Sequence, residues 1–270
     1  MTKIILAITF FLVSIIALAQ VSENREVSNF SKLQASNAIE VFYTISNTKS
    51  ILVETDDIEN LKCIKTEVEN GTLKLYVDTK EYVKKNKSEV KKAKRSKGST
   101  ISFINGVEFT VLKITVSGPN LEEIKASSSA DIKIVNTNTS TDLNITVSSS
   151  GSISGNFNCS NLFIETSSSG EFSSNLNANT VEIESSSSSN VNLSGKATEI
   201  FVKASSSSSC DLKDFTVETA IIKASSSAGV SIKVTKSIDA KASSSASIVY
   251  YGSASQVSKE ESSSGSVSKK

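Results

Sequence analysis

Ile145-Thr-Val-Ser-Ser-Ser-Gly-Ser-Ile153 is one copy of a phrase that the chain repeats from residue 124 almost to its end. The other copies occupy residues 124–132, 164–172, 183–191, 202–210, 222–230, 240–248 and 259–267, so the phrase returns after roughly 19 residues. Self-similarity at such a period is the mark of stacked repeats, because a unit this small buries its apolar side only against copies of itself. Disordered serine-rich linkers do not hold Ile, Val or Phe in register at both ends of every phrase.

Alternate residues of a strand face opposite sides. Read that way, the phrase predicts Ile145, Val147, Ser149, Gly151 and Ile153 inside, with Thr146, Ser148, Ser150 and Ser152 outside. A further apolar position falls two residues earlier, at Leu143, Leu162, Val181, Ile200, Ala220, Ile238 and Val257. The parity also predicts an inward ladder of middle serines: Ser128, Ser149, Ser168, Ser187, Ser206, Ser226, Ser244 and Ser263. A buried hydroxyl without a partner costs about 1 to 3 kcal/mol, so such a ladder requires hydroxyls that bond to one another or to backbone. Small residues at the centre of the phrase imply a bend or a close approach of the opposite wall.

Stacking these units pairs each strand with the coil above and below. The expected fold is therefore all-β, a right-handed parallel β-helix (β-solenoid), with a rise of about 4.8 Å per coil. Ahead of the repeats, residues 39–45, 51–54 and 73–77 read as strands and Asn70-Gly71 as a hairpin turn, giving a β-rich N-terminal segment that caps the stack. The domain reading is a single unit over residues 20–270, with capping strands over 20–118, a basic loop at 82–100 and the serine-rich repeats over 119–270.

The whole chain has 270 residues, a net charge of +1, one proline and neither histidine nor tryptophan. Balanced charge gives no reason to expect nucleic acid as a partner. Without histidine there is no Ser-His-Asp or Cys-His arrangement and no ordinary zinc site, and no glycine loop for phosphates occurs, so no metal and no cofactor is called for. Ser46-Asn-Thr-Lys49 and Ser88-Glu-Val-Lys91 fit S-x-x-K but lack its companion motifs. Cys63, Cys159 and Cys210 are odd in number and widely spaced, which reads as core filling; Cys210 occupies the place that Ile, Val or Phe takes in other copies.

Lys3, the apolar run over residues 4–16 and Ala17-Leu18-Ala19 have the layout of a secretory signal peptide over residues 1–19, cleaved between Ala19 and Gln20. The mature chain is then extracytoplasmic, whether periplasmic, on the outer surface or secreted, and has no transmembrane segment. The basic stretch from Lys84 to Lys97 reads as a solvated loop inserted between strands, with an electrostatic contact to a membrane surface, nucleic acid or an acidic glycan as the alternative.

Two outward columns bear on function. One carries Lys125, Thr146, Glu165, Glu184, Lys203, Lys223, Lys241 and Glu260, a mixed-sign face that reads most simply as a soluble surface and, as a binding face, suits a repetitive, polar, neutral partner such as a glycan or another cell-surface component. The other carries Asp131, Ser152, Glu171, Asn190, Ser209, Gly229, Ser247 and Ser266. In it, Asp131 and Glu171 stand two coils apart, about 9.6 Å, near the upper limit for the carboxylates of inverting glycosidases. Nothing basic or aromatic accompanies them on that column, so no catalytic residue is assigned. The leading expectation is a non-enzymatic structural or adhesive module of the cell envelope; the alternative is a polysaccharide-binding or polysaccharide-processing β-helix using outward carboxylates.

Residues 30–41 (Phe-Ser-Lys-Leu-Gln-Ala-Ser-Asn-Ala-Ile-Glu-Val), 53–61 (Val-Glu-Thr-Asp-Asp-Ile-Glu-Asn-Leu), 68–75 (Val-Glu-Asn-Gly-Thr-Leu-Lys-Leu), 114–124 (Ile-Thr-Val-Ser-Gly-Pro-Asn-Leu-Glu-Glu-Ile) and the closing Ser262-Ser-Ser-Gly-Ser-Val-Ser-Lys269 resemble, in that order, the head GIN domain family of auto-transporter adhesins. The resemblance implies a right-handed parallel β-helix exported by Bacteroidetes-type bacteria, with no established enzymatic role. Nothing after Val257 has the length of a membrane barrel, so the transporter part of that description is not carried over. It supplies no functional residues.

Overall fold

The computed structural model describes residues 20–86 and 102–270. Its N-terminal part runs β1 (Val21–Arg25), β2 (Lys32–Ala35), β3 (Glu40–Ile45), β4 (Ser50–Thr55), α1 (Ile58–Cys63), β5 (Ile64–Glu69), β6 (Thr72–Val77), α2 (Lys80–Lys85), β7 (Ser102–Ile104), β8 (Val107–Phe109) and β9 (Leu112–Gly118). The repeats follow as β10 (Glu123–Ala126), β11 (Asp131–Ile134), β12 (Asn138–Val147), β13 (Ser152–Thr166), β14 (Glu171–Asn177), β15 (Thr180–Ser185) and β16 (Asn190–Ala204). The last are β17 (Ser209–Ala224), β18 (Gly229–Ala242), β19 (Ser247–Tyr251), β20 (Gln256–Glu261) and β21 (Ser266–Lys269).

Stacked coils of about 19 residues form a parallel β-solenoid. One wall stacks β6, β2, β10, β12, β13, β15, β16, β17, β18 and β20, all parallel and in register. The second wall, beyond the serine corner, stacks β9, β3, β11, β13, β14, β16, β17, β18, β19 and β21, also parallel, with the register shifting past Asn192 between β16 and β17 and past Leu212 between β17 and β18. Like residues therefore lie over like: Ile124, Ile145, Ile164, Ile183, Val202, Ile222 and Ala240 form one buried column, and Ile132, Ile153, Phe172, Val191, Cys210, Val230 and Ile248 another.

The inward serine ladder does not exist in this form. Ser128, Ser149, Ser168, Ser187, Ser206, Ser226, Ser244 and Ser263 are exposed, because the phrase is not one strand but two strands joined at a corner. At each corner the second and third serines both have positive φ, 46° to 56° for the second and 58° to 63° for the third. The amide of the residue after them closes a turn onto the first serine's carbonyl, as from Gly151 to Ser148 at 2.9 Å. Positive φ at both central positions with that closure is the pattern of a type I′ turn. Left-handed backbone costs a non-glycine residue about 1 to 2 kcal/mol. The stack offsets it: the third serine's N–H donates to the second serine's carbonyl in the next coil, at 2.9 to 3.1 Å from Ser129 through to Ser245.

Because the corner consumes an even number of residues, burial resumes with the predicted parity, and Ile145, Val147, Gly151 and Ile153 all lie inside. The narrow place is real but sits just after the corner, at Ala130, Gly151, Gly170, Ser189, Ser208, Ala228, Ala246 and Gly265. A Cβ at Gly151 would come within 2.8 Å of the Ala126 carbonyl. Two serines here are buried and satisfied: the Ser189 hydroxyl donates to the Ser186 carbonyl at 2.7 Å, and that of Ser208 to the Ser185 carbonyl at 2.9 Å. The hydroxyls of Thr166 and Ser185 each lie 3.0 Å from that of Ser189, so the core holds a small closed hydroxyl cluster.

The first corner comes earlier than residue 119. Ala35-Ser36-Asn37-Ala38-Ile39 joins β2 to β3 with φ of 64° at Asn37 and 57° at Ala38, and these strands lie directly beneath β10 and β11. The chain then leaves the stack and returns below it, with β6 under β2 and β9 under β3. Antiparallel pairs β1–β4, β4–β9 and β5–β6 finish this end. Gly118 lets the chain cross the aromatic pair Phe30 and Tyr43: a Cβ there would fall 2.6 Å from the Tyr43 hydroxyl, which donates to the Pro119 carbonyl at 2.7 Å. Asp56 binds α1 to the start of β9. Burial raises its pKa, but hydrogen bonds from the Thr110 amide and from the side chains of Asn60, Thr110 and Thr55 outweigh that and hold it below the usual carboxylate range.

At the other end, the last coil places Lys259 and Glu261 opposite Ala240 and Ala242, in positions that earlier coils give to buried residues. Lys259 Nζ reaches the Val267 carbonyl at 3.2 Å and lies 5.1 Å from the centroid of the Tyr250 ring, while Glu261 accepts the Val267 amide at 2.5 Å. Two charges thus fold across the open end of the core, the protection expected of an unpaired edge.

Candidate functional site

The rod's walls are the surface on which any function must rest. Asp131 and Glu171 do share a column two coils apart, through Ser152. Asp131, however, is held by Lys133 at 3.0 Å and by the Ser152 hydroxyl at 2.6 Å, and Lys133 also pairs with Glu40 at 2.7 Å. Glu171 is exposed and accepts only a long 3.4 Å bond from Ser173. Asp131 is thus part of an ion-paired surface cluster with Lys133 and Glu40, which Glu171 does not join.

Farther along the second wall, Asn175, Asn192, Ser173 and Ser194 border a shallow depression of about 380 Å³ with Asp211 and Asp214. Its polar groups largely satisfy one another across coils, Asn175 to Ser194 and Asn192 to Ser173 at 3.3 Å each. Asp211 takes Lys213 at 2.8 Å and the Ser231 hydroxyl at 3.0 Å; burial raises its pKa, and these bonds outweigh that to lower it.

The mixed-sign column of the first wall is in register throughout, from Lys125 over Thr146, Glu165, Glu184, Lys203, Lys223 and Lys241 to Glu260. The signs are blocked rather than alternating: three lysines stand consecutively between Glu184 and Glu260. Beside them runs an open groove of about 550 Å³ whose other side is the first serines of the corners, Ser205, Ser225 and Ser243. Lys203 pairs with Glu184 at 3.2 Å and Lys241 with Glu260 at 2.6 Å. Among the described residues Lys223 forms no ion pair. Two residues back on the same face, Phe201 and Ile221 are neighbours across the coils and are 39% and 36% exposed.

The other sequence candidates are placed as follows. Cys63, Cys159 and Cys210 are all free and buried; burial pushes Cys159 up to about 11 and Cys210 to about 12, the latter partly countered by a bond from Ser185. Ser46 and Lys49 serve local structure, Ser46 accepting from the Thr48 amide and Lys49 donating to Asn29 at 2.6 Å. Gln20 donates to Glu54 at 2.9 Å. Ala19, Ser88-Glu-Val-Lys91 and most of the basic stretch lie outside the described residues; Lys84 and Lys85 end α2. Among the described residues no group of His, Cys, Asp and Glu could hold a metal ion, and no helix is long and apolar enough to cross a membrane.

A rod of stacked coils with its side chains in axial columns presents a repetitive outer face rather than a cleft. The chain belongs to the family described as putative auto-transporter adhesin, head GIN domain (DUF2807), whose family model matches residues 29–254. Solved structures share the fold. A putative lipid binding protein from Parabacteroides distasonis ATCC 8503 is 21% identical with a TM-score of 0.78, covering 93% of this chain and 96% of that one. A putative adhesin from Parabacteroides merdae ATCC 43184 is 16% identical with a TM-score of 0.76, covering 93% and 96%. Another putative adhesin, from Bacteroides fragilis NCTC 9343, is 19% identical with a TM-score of 0.63, covering 93% and 97%. No curated protein matches the chain.

Proposed function

We propose that the protein is an exported, non-enzymatic β-solenoid that serves as a structural or adhesive binding module of the bacterial cell envelope. The observation that carries this reading is the axial repetition of the outer face: the exposed second and third serines of the corner recur in every copy at the strand spacing, which suits a long, repetitive partner. Family membership agrees with it. The signal-like residues 1–19 support export. The hold of Lys133 and Ser152 on Asp131 supports a surface role for that carboxylate rather than a catalytic one. The lipid-binding description of the Parabacteroides distasonis protein is a second kind of non-enzymatic contact, and a vesicle arm belongs in the test.

Purified protein on a glycan array and with lipid vesicles is expected to bind glycan without releasing oligosaccharide, and Asp131→Asn and Glu171→Gln are expected to leave binding unchanged. Cell fractionation should recover it outside the cytoplasm, with the N-terminal residue Gln20. Release of oligosaccharide that disappears in Asp131→Asn or Glu171→Gln, or a protein retained in the cytoplasm, would overturn the reading.

A further inference from the structure

Three like charges stacked directly over one another repel, and a sheet arranged in this way is destabilised until something lies between or upon them. Lys203, Lys223 and Lys241 are such a stack, on adjacent strands in strict register. The outer two are partly neutralised, by Glu184 and by Glu260. Both pairs are exposed, with 72% of the Lys203 side chain in solvent, so each is worth little and yields readily to another anion. Lys223, in the middle, is the unbalanced charge. Ile221 precedes it on the same face and Ser225 follows, neither of which offers a negative group; the carboxylate diagonal to it is Asp239, opposite Ile221 in the next coil, which forms no ion pair among the described residues.

The surroundings define the partner further. Phe201, two residues before Lys203, is partly exposed beside Ile221, and an exposed aromatic ring on a polar sheet can take the apolar side of a sugar ring. On the opposite side of the lysines lie the hydroxyls of Ser205, Ser225 and Ser243, available as donors along the groove. A pyranose chain lying along the rod advances by a step of the same order as the strand spacing of about 4.8 Å, so those acidic groups that turn toward the wall come within reach of the lysine column. The glutamates at either end limit the basic stretch to three coils.

We infer that the face formed by Phe201, Lys203, Ile221, Lys223 and Lys241 binds an acidic polysaccharide laid along the axis, with its carboxylate or sulfate groups on the lysines and a ring against Phe201. The inference rests on the binding-module reading and narrows it to one wall and one class of glycan. A neutral glycan, which the mixed-sign column suggests by its overall charge, leaves Lys223 unpaired; an acidic one does not.

The test measures binding of the purified full chain to polygalacturonate and to heparin at low ionic strength, with dextran as the neutral chain and phosphatidylglycerol vesicles as the lipid surface. At least one acidic chain should bind, dextran should not, and the affinity should fall as salt is added. Lys223→Gln and Phe201→Ser should each weaken binding about fivefold, the size of an exposed charge contact, while Lys213→Gln on the second wall should have no effect. All three side chains are partly or largely exposed, so the variants fold, and unchanged circular dichroism verifies it. Binding of neither acidic chain, equal binding by wild type and Lys223→Gln, or an equal loss in Lys213→Gln overturns the inference. So does Lys223-dependent binding to vesicles that exceeds binding to either glycan, which would assign the face to lipid headgroups. Neutral glycan hits on the array with no acidic binding sink this inference and leave the binding module standing; a blank array removes both.

Discussion

At the scale of the residue, the corner serines decide most. Ser206 and Ser207 have φ of 53° and 59°, and both are exposed, whereas Ser208 is buried with its hydroxyl on the Ser185 carbonyl. Replacing Ser207 by glycine removes the left-handed penalty and is expected to leave stability unchanged or raise it by up to about 1 kcal/mol. Ser207→Val, β-branched in the same backbone, should cost about 1 to 2 kcal/mol. Ser208→Leu forces bulk into the narrow place and should cost about 1 to 3 kcal/mol. Thermal unfolding of the three variants checks these values; a Ser207→Gly variant as damaging as Ser208→Leu would contradict the corner. Parity alone makes Ile145, Val147, Gly151 and Ile153 legible as buried in the sequence, since apolar residues at both ends of the phrase share the odd positions. Ser149 was not legible. A left-handed pair is normally announced by Asn or Gly, and here the conformation is enforced by the bond from Ser129 beneath and its equivalents, a partner that lies a whole coil away in sequence.

At the scale of the element, the two ends are built differently. The N-terminal end is closed by chain: β6 and β9 complete a coil below β2 and β3 although they follow them in sequence. That is why the first coil was hidden. Ala35-Ser36-Asn37-Ala38-Ile39 carries the corner pattern, but one copy standing far ahead of the others lacks the repetition that reveals them. The C-terminal end is closed by two side chains, Lys259 and Glu261, over the last layer of core. Replacing both with valine restores the apolar pattern of the other coils and leaves β20 and β21 with unprotected edges. The double variant is expected to associate end to end, visible as larger species in sedimentation velocity at concentrations where the wild type gives a single smaller one. The lysine column belongs to this scale as well. Its register was legible because one strand follows another at a fixed period; the groove beside it was not, because it depends on where the corner turns.

At the scale of the whole molecule, each coil touches chiefly the coils on either side, so stability is close to a sum over neighbours. Removing residues 168–186, which joins Ser167 to Ser187, deletes one period and lets Thr166 continue into an unchanged corner. The shortened chain should fold with the same far-ultraviolet circular dichroism per residue, a lower melting temperature, and a rod shorter by about 4.8 Å in small-angle scattering. Loss of folding on this deletion would mean that the coils are not interchangeable. The family resemblance was legible across nearly the whole chain, and the matching residues, 29–254, bear it out.

The hydrogen bonds between coils point along the rod, which gives it two very different responses to mechanical load. Tension spread over the whole end face strains every bond of a coil interface together, whereas a tug on Lys270 alone meets the pairs of β21 with β19 one after another. A surface anchored by its last residue would therefore peel coil by coil, lengthening under drag and yielding extra reach before the N-terminal cap is disturbed.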